Sequence, residues 1–221
     1  MYTTLSNSPL FKGIQSDDIE GLFKQIYFQT KKFDEGQLIA SRDEQVNHLL
    51  ILLKGSVRGE MLDYSGKVLK VEDIHAPKPI VGAFLFGERN KFPVDVITAE
   101  ETMLLQIPKE SVVKLFQLNQ MFLQNFLNTI SNRAQFLSRR IWFLSFKTIK
   151  GKLAQYILNL EKQESNEVNL KLTQKELAEF FGVTRPSLAR ALGEMEKNGI
   201  VNVNRKQITI ENRQELINLL E

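Results

Sequence analysis

Hydrophobic and polar residues follow three successive patterns along the chain. Apolar residues from Ile19 to Ile26 recur at helical spacing, which predicts a short helix over Asp17–Tyr27. From Lys31 to Ile107, short runs typical of strands alternate with turn residues. The runs are QLIA, HLLILLKGSVRGEML, GKVLKVEDI, VDVITA and TMLLQI. Many short strands of this kind predict an antiparallel barrel or roll.

The third pattern is helical and begins after Pro108, with a short segment around Glu110–Leu115 and a long one over Leu118–Phe146. The long segment has no glycine or proline, and one set of its apolar residues is spaced alternately four and three residues apart. That set is Leu123, Leu127, Ile130, Ala134, Leu137, Ile141 and Leu144. A second stripe consists of Phe122, Phe126, Phe136 and Phe143. Heptad spacing favours a seam with a second copy of the chain, and the phenylalanines would then pack on the chain's own roll. The alternative is a core helix buried inside a single chain.

Composition narrows the possible classes of function. The 221 residues are 43% hydrophobic and 25% charged, as in ordinary soluble domains, and suffice for one large domain or two small ones. There is no cysteine, so disulfides, iron–sulfur clusters and thiol nucleophiles are excluded. The histidines, His48 and His75, are too few for a histidine-rich metal cage. With no triad grouping and no glycine-rich phosphate loop, the chain is predicted not to be an enzyme.

Charge alone permits nucleic-acid binding without establishing it. The net charge of +3 divides into −2 over residues 1–118, +3 over 119–145 and +2 over 146–221. The pairs Lys31-Lys32 and Arg139-Arg140 are interpreted as solvated faces. No apolar run approaches the ~20 residues of a membrane span, and the first residues do not resemble a signal peptide. A cytoplasmic protein without a membrane partner is expected.

The most specific motif occupies residues 172–201. Thr173 and Glu176 form a capping-box pattern, and Gly182 ends the helix that they begin. Thr184 caps a second helix, which accepts Pro186 in its first turn. The apolar face of this second helix consists of Leu188, Ala191, Leu192 and Met195. A small residue in the first helix, Gly182 at the turn and Leu188 in the second helix are typical of a helix-turn-helix. A pair of antiparallel helices in a bundle would show the same pattern.

The exposed side of the second helix favours DNA binding over a bundle. Arg185, Ser187 and Arg190 are side chains of the kind that contact guanine edges and phosphates in a major groove. A β-hairpin then follows, with its polar turn at Asn204–Gln207. A hairpin in this place is typical of a winged helix-turn-helix.

Over nearly its whole length the chain resembles the Crp/Fnr superfamily of bacterial transcription regulators. The matching pieces are the F-x-x-G of Phe33–Gly36, the I-L-L-K-G-S-V of Ile51–Val57, the long helix and the T-x-x-E-L-A…G-V-T-R-x-S-L-x-R-x-L block. The resemblance implies an α+β fold: an antiparallel β-roll sensor domain similar to cyclic-nucleotide-binding domains (1–117), a dimerisation helix (118–146) and a winged helix-turn-helix (147–221). It further implies a homodimer on palindromic operator DNA, with RNA polymerase as a partner.

The resemblance also implies which residues contact DNA. Arg185 and Arg190 correspond to the base- and phosphate-contacting arginines, and Thr173 to a phosphate-binding N-cap residue. The full predicted set is Thr173, Gln174, Thr184, Arg185, Pro186, Ser187, Arg190, Arg205 and Lys206. Pro186 stands where many members have a glutamate that reads cytosine, so preference at that base pair should differ.

The sensor region departs from members that bind cyclic nucleotide. Those members carry a glutamate for the ribose and an arginine for the phosphate, where this chain has Ala83 and Phe92-Pro93. A buried cyclic phosphate without its arginine would be an unpaired charge, which argues against cyclic AMP. Glu88-Arg89 could replace the pair only if the loop were shifted.

An apolar effector pocket is predicted instead. Its residues would be Met61, Ala83, Phe84, Leu85, Phe86, Phe92, Phe122 and Phe126. Either these side chains fill the space themselves, leaving a constitutive regulator, or an apolar or haem-like effector binds there. Some members resembling nitric-oxide-responsive regulators use haem in this region, and His48, His75, Met61 and Met103 would be the candidate axial ligands here.

Overall fold

The computed structural model describes residues 1–62, 68–161 and 166–220. The chain forms two compact units, residues 1–133 and 134–221. The border between them lies inside the long helix, which the sequence analysis had treated as a segment of its own. Each unit encloses its own apolar cluster. None of the helices in the described residues is long and apolar enough to span a membrane.

The first unit begins with two helices, followed by the strands of the roll and two further helices. The helices are α1 (Tyr2–Ser6), α2 (Ser16–Phe23), α3 (Lys109–Leu118) and the first part of α4 (Gln120–Ser145), and 3-10 turns form at Pro9–Phe11 and Gly82–Phe84. The strands are β1 (Gln29–Phe33), β2 (Leu38–Ala40), β3 (His48–Lys54), β4 (Ser56–Leu62), β5 (Val68–His75), β6 (Pro79–Ile80), β7 (Asp95–Thr98) and β8 (Thr102–Pro108).

Two four-stranded antiparallel sheets form the roll. Their strand orders are β1-β8-β3-β6 and β2-β7-β4-β5. The central strand β3 reads HLLILLK and buries five consecutive side chains, as a strand covered on both faces must. Side chains of both sheets and of all four helices join one buried cluster. The predicted antiparallel roll is confirmed.

One prediction for this unit needs correction, and two elements were not predicted. The first predicted helix, Asp17–Tyr27, ends at Phe23, and α1 was not predicted. Strand β1 was also missed, because its sequence QTKKF has almost no apolar alternation and its first four residues are exposed. It forms because all five of its residues pair with β8, more than 65 positions later in the chain. Pairing with a buried strand thus overrides a weak local signal.

The second unit contains the end of α4 and the elements of the predicted winged domain. These are α5 (Ile149–Leu160), β9 (Glu167–Asn169), α6 (Gln174–Phe181), α7 (Arg185–Lys197), β10 (Val201–Asn204), β11 (Gln207–Ile210) and α8 (Arg213–Asn218). The polar run at 161–169 was interpreted as a loop or short hairpin. Its residues 162–165 lie outside the described residues, and its last three form β9, which pairs with β11. The wing is therefore a three-stranded sheet of order β10-β11-β9.

Candidate nucleic-acid interface

Helix α6 starts with the predicted capping box. The Glu176 amide donates to Thr173 Oγ1 at 3.3 Å, and Glu176 Oε2 accepts from the Thr173 amide at 2.7 Å and from Thr173 Oγ1 at 2.8 Å. The bond from the Thr173 amide, then that from its hydroxyl, lowers the pKa of Glu176. The exposed N-terminus of α6 is thus held in one conformation by its own side chains.

The turn after α6 depends on Gly182. Its φ is +68°, in the left-handed region that glycine enters without a Cβ clash. The Val183 amide donates to the Ala178 carbonyl at 3.0 Å, which closes the helix end. Ala178 is 2% exposed, so a small residue lies where the two helices meet. The predicted helix-turn-helix geometry is confirmed.

Helix α7 presents opposite sides to the core and to solvent. Thr184 Oγ1 accepts from the Ser187 amide at 3.3 Å, and Pro186 occupies the first turn. The buried side is the predicted set Leu188, Ala191, Leu192 and Met195. Arg185, Pro186 and Arg190 are exposed on the other side. Ser187 is half-buried, and its hydroxyl lies 2.8 Å from that of Thr184, so it closes the cap.

The wing supplies two further cations. Arg205 and Lys206 form the two-residue turn between the paired residues Asn204 and Gln207, and both are exposed. Glu196 Oε1 accepts from the Val203 amide at 3.0 Å, which ties β10 to α7. The structure therefore places the cations of α7 and of the wing in one unit, together with Thr173, Thr184 and the half-buried Gln174.

Two cations that sequence reasoning missed bond the C-terminal carbonyls of α6. Lys152 of α5 is 8% exposed, and its Nζ donates to the Phe181 carbonyl at 3.2 Å. Arg140 of α4 donates from Nη2 to the Glu179 carbonyl at 3.1 Å. Both charges lie at the negative end of the helix dipole, where cations stabilise. Arg140 is thus not merely part of a solvated face. The local sequence contained no signal for Lys152, because it follows Lys147 and Lys150 in a basic stretch.

The heptad face of α4 is largely exposed within the chain. Leu127, Leu137, Ile141 and Leu144 are 54%, 43%, 69% and 48% exposed. Ala134 is also exposed, and Leu123 and Ile130 are half-buried. This exposure disagrees with the alternative interpretation, in which the helix would be buried inside a single chain.

The phenylalanine stripe of α4 packs on both units, and not on the roll alone as expected. Phe122 and Phe126 belong to the core of the first unit. Phe143 lies in the core of the second unit, with ring centroids 5.2 Å from Phe180 and 5.3 Å from Phe181. Phe136 lies 5.7 Å from Phe180 by the same measure.

The predicted effector residues do not share one environment. Ala83 is exposed and Phe84 is 37% exposed. Leu85, Phe92, Phe122 and Phe126, in contrast, are buried in the core, Phe86 packs against it, and Met61 is half-buried on β4. The buried rings contact two others that the sequence analysis did not single out. Phe116 lies 5.0 Å from Phe126 and 5.7 Å from Phe122, and Phe11 lies 5.0 Å from Phe122.

At the two positions where the resemblance implies a ribose glutamate and a phosphate arginine, the structure places neither kind of side chain. Ala83 offers a methyl group, and Phe92 is 5% exposed in the apolar core. Glu88 and Arg89 are both exposed. In the described residues, no group of three or more histidine, aspartate or glutamate side chains could hold a metal ion. His48 and His75 are exposed at strand ends.

Comparisons with known proteins identify both units. The family model of the cyclic nucleotide-binding domain matches residues 30–119, and that of the Crp-like helix-turn-helix domain matches residues 151–219. The cAMP-activated global transcriptional regulator of Haemophilus influenzae is 24% identical over 184 residues, covering 81% of this chain and 82% of that protein. The anaerobic regulatory protein of Aggregatibacter actinomycetemcomitans is 25% identical over 195 residues, covering 86% of this chain and 75% of that protein.

A solved structure shows the same fold over almost the full length. The catabolite activator protein of Thermus thermophilus superposes with a TM-score of 0.56 at 19% identity, covering 96% of this chain and 98% of that one. The two relatives are by name a transcriptional regulator and a regulatory protein, in agreement with the prediction that this chain is not an enzyme. With a cyclic nucleotide-binding domain followed by a Crp-like helix-turn-helix domain, the chain belongs to the Crp/Fnr family of DNA-binding transcription regulators.

Proposed function

We propose that this protein acts as a homodimer that binds palindromic operator DNA through α7 of each copy and does not use cyclic AMP as its effector. The observation that carries the proposal is the exposed heptad face of α4. Large apolar side chains in an uninterrupted heptad register are stabilised when a second helix covers them, at roughly 25 cal/mol per Å² buried. A two-fold dimer would present two α7 helices to half-sites about 34 Å apart.

Within each half-site, Arg185 reads a guanine and Arg190 contacts phosphate or a base edge. Both arginines lie on the exposed side of α7, near its N-terminal end, which is the part of a recognition helix that meets base edges. Arg205 and Lys206 contact phosphates from the wing, and Thr173 from the start of α6. RNA polymerase is the further partner that the family resemblance implies, and the cytoplasm is the expected compartment.

The sensor domain has two candidate modes. In the first, an effector other than cyclic AMP, with haem as one candidate, shifts the equilibrium between two arrangements of the dimer. In the second, the protein binds DNA constitutively. The second is favoured by one observation: Phe11, Phe116, Phe122 and Phe126 pack ring against ring in the core of the first unit. Operator affinity of the purified protein should not change with added cyclic AMP in either mode, and a change with added haemin would favour the first mode.

The dimer is tested by changing its seam. Leu137→Glu combined with Ile141→Glu places charges on the exposed heptad face, so we expect a monomer in native mass spectrometry and operator binding weakened at least about 100-fold. Asn132→Glu is the matched control, since Asn132 is exposed on the same helix but outside the heptad set. The proposal would be overturned if the wild-type protein were a monomer, or if the seam variant bound the operator as tightly as the wild type.

A further inference from the structure

The exposed face of α7 offers two chemically different kinds of surface. Arg185 and Arg190 are fully charged hydrogen-bond donors. Between them, Pro186 and Ala189 are also exposed, and neither side chain can donate or accept a hydrogen bond. The hydroxyl of Ser187 is engaged with Thr184. Ser187 is also only half-buried, so the fully exposed side chains between the two arginines are those of Pro186 and Ala189, and both are apolar.

Pro186 and Ala189 lie on the same side of the helix. Residues three apart in an α-helix are neighbours on its surface, about 5–6 Å between Cβ atoms. The proline ring and the alanine methyl group therefore form one small apolar surface. Its place in the first turns of α7 is where a recognition helix contacts base edges.

The start of α7 accounts for a proline at position 186 but not for the exposed apolar residue Ala189. A proline is compatible with the first turn of any helix, because the missing amide would have no intrahelical partner there. Ala189 is past that turn, exposed, and outside the apolar face that holds α7 in the core. In the major groove, the group that an apolar surface can recognise is the C5-methyl of thymine. A cytosine there would instead leave its amino donor without a partner.

We propose that Pro186 and Ala189 read the methyl group of one thymine in each half-site, beside the guanine that Arg185 reads. The inference rests on the proposed role of α7 as the recognition helix. It makes Pro186 a specificity-determining residue and predicts an A·T pair, with its thymine methyl facing α7, at that position.

The test uses the full-length protein and operators selected from a randomised duplex pool. Each thymine of the selected half-site is replaced in turn by uracil, which removes only the methyl group. For the wild type we expect one such replacement per half-site to weaken binding about fourfold, the value of one buried methyl group. In Pro186→Ala and in Ala189→Gly, that loss should fall to less than about twofold. Pro186→Glu should shift the preference at the same base pair towards cytosine, whose amino group a carboxylate accepts.

Two controls separate this inference from the operator-binding proposal. Arg185→Ala should weaken operator binding while keeping the penalty for uracil. Pro9→Ala makes the same substitution at the 3-10 turn of the first unit and should change neither quantity. Selection that yields no preferred sequence would overturn the operator-binding proposal, and this inference with it. A preferred sequence without a thymine penalty, or with a penalty unchanged in Pro186→Ala and Ala189→Gly, would overturn the inference alone.

Discussion

The two units of this chain build their important features over very different distances along the sequence. In the second unit, the capping box, the glycine turn and the cap of α7 join residues three to five positions apart. In the first unit, Thr98 Oγ1 donates to the Asp34 carbonyl at 2.6 Å, 64 positions away, and Ser56 Oγ donates to Glu100 Oε1 at 2.7 Å. Local interactions can be recognised in sequence, whereas distant ones depend on how the strands pair. DNA binding could therefore be inferred early, and the state of the sensor could not.

The largest expected effect comes from a close approach in the first unit. Gly55 has φ +82°, and a Cβ there would lie 2.5 Å from the Glu101 carbonyl oxygen and 2.7 Å from Thr102 Oγ1. Gly55→Ala should reduce the unfolding free energy of this unit by about 3 kcal/mol or more, through backbone strain plus steric overlap. Gly36→Ala, also at positive φ but with open space around it, should lower it by only about 1–2 kcal/mol. If urea unfolding showed equal losses of unfolding free energy in Gly55→Ala and Gly36→Ala, the close approach of Glu101 and Thr102 would not be what requires a glycine at position 55.

Next in size is the loss of base reading in the second unit. Arg185→Ala should weaken specific operator binding by about 1–3 kcal/mol, measured by fluorescence anisotropy at fixed salt. Arg213→Ala removes the same charge from α8, where Arg213 pairs with Glu161, and should leave the preference among operators unchanged. Similar losses of specificity in both variants would remove Arg185 from the reading set.

Lys152 makes one of the long-range contacts of the second unit. Lys152→Met keeps the length and apolar stem of the side chain but removes the bond to the Phe181 carbonyl. The unfolding free energy of the second unit should fall by about 1–2 kcal/mol, because a carbonyl loses its partner. The exposed control Lys175→Met should change it by less than about 0.5 kcal/mol. Thermal denaturation of both variants tests whether α6 depends on α5.

The smallest expected effect concerns the capping box. Thr173→Ala should reduce the unfolding free energy by about 1 kcal/mol near neutral pH. The Thr173 amide lowers the pKa of Glu176 most and remains in the variant, whereas the Thr173 hydroxyl lowers it further and is lost. The stabilisation from the hydroxyl bond is present above the unfolded pKa, near 4.5, and is lost as pH falls through the lowered folded pKa. The difference between wild type and variant should therefore shrink below pH 4.5. Urea unfolding at a series of pH values measures this, and a difference independent of pH would contradict the role of Glu176.

Some elements could not have been predicted because their local signals point elsewhere. Strand β1 is polar and exposed yet pairs along its whole length with β8. Arg140 belongs to a dibasic pair of the kind found on solvated surfaces, yet it bonds a carbonyl of α6 across 39 positions. Phe116 follows Val112 and Val113 at helical spacing, which indicates a helix face but not the aromatic cluster that Phe116 joins through contacts with Phe86, Phe122 and Phe126.

The sequence by itself determined the helix-turn-helix with its caps, the antiparallel roll and the heptad register of α4. The caps and the heptad register depend on residues a few positions apart, and the strands of the roll on alternation within each run, where backbone geometry sets which side chains meet. Which strands pair with one another depends on contacts far apart in the sequence. Only the tertiary structure decided that Phe122 and Phe126 are buried while Leu137 and Ile141 stay exposed. It also decided that Lys152 supports α6 and that Pro186 and Ala189, neighbours by their spacing, are exposed. Burial and long-range bonding depend on which elements pack together, and periodicity along one segment does not contain that information.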